Sequence, residues 1–173
     1  MSLYVGLDPA SETAGFAAFS DAGTLMHAEL RARGEYPERL GSLRRQLRGV
    51  LEAVADVGAW CCVIELPNTR FGGASLIGSY GVFVEAAASM LKCPVLTLPP
   101  KQIDSLIFPS AKQMPLTRKE RLVEHAQGLG YSGGSQDICD ALACASAARV
   151  LTLRKYPVPD EPGDLDARRK DTA

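Results

Sequence analysis

With 173 residues, 46% of them hydrophobic and 23% charged, and a net charge of −1, the chain has the composition of an ordinary globular protein. Such a length is most simply one domain, able to bury about 70% of the surface its unfolded chain exposes. No run approaches the ~20 consecutive apolar residues of a membrane span, and no charged leader precedes Leu3, so membrane insertion and export are not expected.

Leu3–Leu7 reads as a buried strand closed by Asp8, and Asp8-Pro9-Ala10-Ser11 as a turn. A second strand over Gly15–Phe19 would pair with the first as a hairpin, and Asp21-Ala22-Gly23 turns into a third, Thr24–Arg31. Leu40, Leu43, Leu47, Val50, Leu51 and Val54 follow the helical period and predict a helix from Pro37 to Val57, with Arg44, Arg45 and Arg48 on its solvated side. Cys61–Leu66 is the next buried strand and carries Glu65 at its end. After a Gly-rich loop come a helix over Ser75–Leu91 and a short strand, Val95–Leu98, stopped by Pro99-Pro100. Helices over Lys101–Ile107, Thr117–Leu129 and Gln136–Leu151 complete the series, with Ser135 as the N-cap of the last.

This order predicts an α/β fold, a mixed five-stranded sheet made of a three-strand antiparallel meander plus two parallel strands, flanked by helices. One domain is expected over residues 1–156. The Pro-rich, charged segment 157–173 cannot bury enough surface to order itself and is expected to be a disordered tail. Cys61, Cys62, Cys93, Cys139 and Cys144 lack metal-ligand spacing, and all but Cys93 lie in apolar runs, as expected of reduced core thiols in a cytoplasmic protein.

Four carboxylates stand out against this background. Asp8 and Glu65 end apolar strands, while Asp137 and Asp140 open an apolar helix three residues apart and so share a face. If the first and fourth strands lie side by side and the last helix packs across them, the four converge. Buried carboxylates are costly unless something cationic compensates them, and a divalent metal is the simplest compensator. Taken singly, each has another reading: an Asx turn at Asp8, an ion pair with a nearby Arg at Glu65, a helix-dipole partner at Asp137. Asp140, flanked by Ile138, Cys139, Ala141 and Leu142, is hardest to explain by local structure. Charge is also unevenly placed. Of 19 basic and 20 acidic residues, the tail from Pro157 holds three and five; with the four carboxylates set aside, the remainder has 16 bases against 11 acids, a distribution suited to a polyanion.

Gly6-Leu7-Asp8-Pro9-Ala10-Ser11-Glu12-Thr13-Ala14-Gly15, Val63-Ile64-Glu65 and Asp137-Ile138-Cys139-Asp140-Ala141-Leu142-Ala143 together resemble the RuvC-type Holliday-junction resolvases of the ribonuclease-H-like superfamily. The resemblance implies a crossover junction endodeoxyribonuclease, cellular or phage-type, acting on branched DNA. It further implies two Mg²⁺ ions per site, with Mn²⁺ as substitute, held by Asp8, Glu65, Asp137 and Asp140, and a homodimer through the helix around 75–91. By the same resemblance Lys119 contacts phosphate near the scissile bond and joins the catalytic set. The resemblance likewise implies that Arg70, Lys101, Lys112 and Arg118 contact DNA and that Phe71 enters the branch point. Ala10, where the family has Gly after Asp-Pro, and the absence of residue matches over 24–59 point to relaxed branch specificity. His125 is expected on a helix surface and His27 on a strand, both outside the mechanism. The competing readings are a ribonuclease-H-like RNA-processing nuclease and a non-catalytic junction-binding protein. An actin-like ATPase is excluded, because it needs two such domains.

Overall fold

The computed structural model describes residues 2–67, 73–109 and 116–155. Its elements are β1 (Leu3–Asp8), β2 (Thr13–Phe19), β3 (Leu25–Arg31), α1 (Glu38–Val57), β4 (Ala59–Glu65), α2 (Ala74–Met90), β5 (Val95–Leu98), α3 (Pro100–Ile107), α4 (Arg118–Gly128) and α5 (Gln136–Lys155). The strands form one sheet in the order β3-β2-β1-β4-β5. The β1–β2 and β2–β3 pairs are antiparallel, whereas β1–β4 and β4–β5 are parallel. The mixed sheet expected from the sequence is the one formed, with β1 at its centre; α5 runs on to Lys155, beyond the expected end at Leu151.

Strand alternation divides the core into two layers. Leu3, Val5, Leu7, Ala14, Phe16, Ala18, Cys62 and Ile64 join Leu43, Leu47, Leu51 and Val54 of α1 and Phe83 and Ala87 of α2. Tyr4, Ala17, Phe19, Cys61 and Val63 face the other way, onto Leu142, Cys144, Ala145 and Ala148 of α5 and Ile103 and Leu122 of α3 and α4. Within the first layer α2 lies over α1 and meets Leu40 at Gly78. Cys61, Cys62, Cys139 and Cys144 are buried, Cys93 is partly so, and all five are free thiols. No helix among the described residues is long and apolar enough to cross a membrane.

Two glycines determine how near α5 comes to the sheet. A Cβ on Gly6 of β1 would overlap the Ala141 carbonyl oxygen and the Ala145 amide nitrogen; one on Gly15 of β2 would overlap the Asp137 carbonyl. The α5 backbone therefore rests directly on β1 and β2, and its buried residues there, Ala141, Cys144, Ala145 and Ala148, are small. This close seat carries Asp137 and Asp140 down to the strand ends.

A carboxylate cluster closed by an arginine

Sheet register sets the base of the site. Leu7 pairs with Ile64, which brings the next residues, Asp8 and Glu65, side by side across adjacent parallel strands, about 4.8 Å apart. On the other flank Asp8 pairs with Gly15, and Gly15 with Glu29. A row Glu65–Asp8–Gly15–Glu29 thus crosses four strands on the α5 side. Gly15 leaves the gap into which the first turn of α5 descends, with the Asp137 backbone directly over it. One turn later on the same helix face is Asp140, only 8% exposed.

The electrostatics register this crowding. Burial pushes the Asp8 carboxyl well above its ordinary range, and repulsion from Glu65, Asp140 and Asp137 adds to it; Arg118 offsets part of the shift. Glu65 is pushed up to about 7, first by burial and then by Asp140 and Asp104, again opposed by Arg118. Asp137 is raised by burial and by Glu29, while a hydrogen bond from Thr13 acts in the opposite sense. The carboxylates sense one another and are under-compensated.

Arg118 is the cation that meets them. It is the first residue of α4, whose start is locked by a capping box. The Thr117 hydroxyl accepts from the Glu120 amide at 3.3 Å, and the Glu120 carboxylate accepts from the Thr117 amide at 2.7 Å. From there the guanidinium reaches inward. Nε donates to both oxygens of Asp104 at 3.1 Å, Nη1 to Asp140 Oδ1 at 2.9 Å, and Nη2 to Glu65 Oε2 at 3.3 Å. Gln136 Nε2 donates to the remaining Asp140 oxygen at 3.1 Å. Arg118, expected among the phosphate contacts, thus has its head group among carboxylates from α3, β4 and α5.

Of the other residues singled out by sequence, Lys101 of α3 and Lys119 of α4 are exposed. Arg70, Phe71 and Lys112, and the tail from Pro157, lie outside the described residues. His27 is on β3, edge-on to Tyr131. His125 differs from expectation: small Ser146 on α5 admits its ring, so it is half-buried, with Nε2 at 2.7 Å from the Ser146 hydroxyl. Sequence reasoning missed Asp104, Gln136 and Glu29. The last was within reach, since a hairpin turning at Asp21–Gly23 sets Glu29 opposite Gly15.

The donor set suits a hard divalent cation: all oxygen, mutually repelling and poorly compensated. The side chains as they stand serve Arg118 instead. Among the described residues no three acidic, histidine or cysteine groups are grouped closely enough to hold one ion. The guanidinium bridges Glu65 and Asp140. The residues therefore fit a metal by chemistry, on condition that Arg118 gives way.

An antiparallel three-strand meander continued by two parallel strands, with a helix laid across the strand ends that carry acids, defines the ribonuclease-H-like fold in its RuvC form. Among solved structures, Thermus thermophilus RuvC in complex with a Holliday junction substrate is similar at 16% identity and a TM-score of 0.69, over 90% of this chain and 98% of that one. A second Thermus thermophilus RuvC structure is similar at 18% identity and a TM-score of 0.68, covering 88% and 96%. No family model and no curated protein sequence matches the chain.

Proposed function

We propose that the chain is a metal-dependent, structure-selective endonuclease that nicks four-way or other branched DNA junctions symmetrically. The observation that carries this reading is the gathering of Asp8, Glu65, Asp137 and Asp140 at one end of a RuvC-like sheet. Two Mg²⁺ ions held there, or Mn²⁺ in their place, would supply activation of the attacking water and stabilisation of the leaving 3′ oxygen. Asp8 and Glu65 would hold them from adjacent strand ends and Asp137 and Asp140 from α5, with Asp8, on the central strand, the principal ligand. Lys119 contacts a phosphate beside the scissile bond, with Lys101, Arg70 and Lys112 along the flanking backbone, and Phe71 stacks at the branch point.

A homodimer completes the scheme. Ile77 of α2 is 54% exposed, and Leu76, Tyr80 and Val84 are partly so, leaving an apolar face for a second copy. Two sites then address two strands of one junction. This chemistry belongs to recombination or the clearance of replication intermediates in the cytoplasm of a cell or a phage-infected host.

Asp140→Asn tests the reading directly. It keeps the shape and the Gln136 contact but removes the charge. We expect a folded protein that binds four-way junction as wild type does and cuts it at least roughly 10²-fold more slowly. Full activity would remove Asp140 from the site.

Acidity should also tune metal affinity. Because Glu65 is pushed up to about 7 in the metal-free protein, and burial and neighbouring acids raise Asp8 well above its ordinary range, metal must displace protons to bind. Mn²⁺ affinity measured by calorimetry is expected to fall below pH 7 by up to about tenfold per pH unit for each proton displaced. A pH-independent affinity between pH 6 and 8 would contradict this coupling.

A further inference from the structure

We propose that Arg118 is the counter-cation of the metal-free site, holding Glu65 and Asp140 in place of a divalent ion and yielding them when one binds, while Asp104 keeps it tethered. The inference rests on the nuclease reading above and adds a device to it.

The first argument is competition for the same atoms. Arg118 occupies Asp140 Oδ1 and Glu65 Oε2, oxygens on two of the carboxylates assigned to the metals, and Gln136 takes the second Asp140 oxygen. A guanidinium bridging two carboxylates excludes an ion from the position between them. The second argument is charge. Four carboxylates with one guanidinium among them remain under-compensated, since that guanidinium reaches only Glu65 and Asp140 of the four. Two divalent ions would bring four positive charges, enough to neutralise the four carboxylates, so that the cluster would no longer attract Arg118.

The third argument is the anchor. Asp104 stands on α3, outside the row of strand-end acids, and engages Arg118 Nε through both oxygens at 3.1 Å. The Arg118 side chain is 33% exposed, against 14% for Glu65 and 12% for Asp140, so it enters from the rim and has solvent to retreat to. Arg118 can thus swing out of the cluster without leaving Asp104. The coupling has a defined sign: Arg118 lowers metal affinity and stabilises the metal-free protein. An arginine that merely arranged ligands would raise metal affinity.

The test is calorimetric titration of Mn²⁺ into wild type, Arg118→Gln and Arg118→Lys under identical buffer and pH. Thermal unfolding is followed in parallel, with Mn²⁺ and with chelator. Arg118→Gln is expected to bind Mn²⁺ roughly five- to tenfold more tightly, and to be destabilised in chelator but not at saturating Mn²⁺. Arg118→Lys keeps a charge without the fork and should fall between the two. If Arg118→Gln is destabilised equally in both conditions, or binds Mn²⁺ no better or less well than wild type, the counter-cation role is overturned and the nuclease reading stands. If wild type itself binds no Mn²⁺, both are overturned.

Discussion

Asp8→Asn is expected to slow Mg²⁺-dependent cleavage of a four-way junction by at least roughly 10³-fold, while leaving the fold and junction binding intact. Asp8 ends the central strand and is repelled by each of the other three carboxylates, so it is the position at which one neutralisation changes the site most. The same substitution should stabilise the metal-free protein at pH 8. The Glu65 carboxyl binds its proton more tightly in the folded chain, near pH 7, than at its ordinary value of 4.5. Folded protein therefore holds more protons than unfolded between those values, and metal-free stability falls as pH rises from about 4.5 to 7 and stays lowered above it. Asp8 is likewise raised, by burial and by repulsion from Glu65, Asp140 and Asp137, and so contributes in the same sense; asparagine at position 8 removes that contribution. Its unfolding midpoint in chelator should exceed that of wild type by a few degrees at pH 8, and the advantage should vanish near pH 4. A lower midpoint at pH 8 would mean that Asp8 serves stability rather than chemistry.

Gly6→Ala is expected to cost about 3 kcal/mol or more of folding stability and most of the activity. The added methyl would overlap the Ala141 carbonyl oxygen and the Ala145 amide, both backbone atoms of a buried helix with no flexible side chain to turn aside. Relief requires α5 to lift from β1, which also withdraws Asp137 and Asp140 from Asp8 and Glu65. Urea unfolding of the variant measures the first effect and junction cleavage the second. A variant as stable as wild type would show that α5 has room above Gly6. Gly49, on α1, is the control, because a Cβ there meets nothing within 4 Å.

The strand-end acids were legible in sequence because each closes an unbroken apolar run, and a strand that is buried on both faces has no other place for a charge. Asp137 and Asp140 were legible for a related reason, being acids at helical spacing on an otherwise apolar helix. The element order was enough to set β1 between β2 and β4, since a meander followed by crossover connections has few alternatives. Other features depend on tertiary contact alone. Arg118 reads in sequence like its neighbour Lys119, a base at the start of a helix. Only the convergence of α3, β4 and α5 turns one inward and leaves the other exposed. Asp104 carries no signal at all, because its partner is fourteen residues away on another helix. Gly6 looked like any small residue in a strand until α5 was seen to rest on it. The half-burial of His125 likewise depends on a serine of α5 that helical periodicity cannot assign to it.

One measurement bears most directly on the proposed function: cleavage of end-labelled four-way junction, linear duplex and structured RNA, each with Mg²⁺ and with chelator, by wild type and by Asp8→Asn. Paired nicks on opposing strands of the junction alone, dependent on Mg²⁺ and lost in the variant, are the predicted result. Cleavage of RNA alone would make the protein an RNA-processing nuclease on the same fold. Tight junction binding with no cleavage in Mg²⁺ or Mn²⁺ would contradict a catalytic role for the carboxylate cluster.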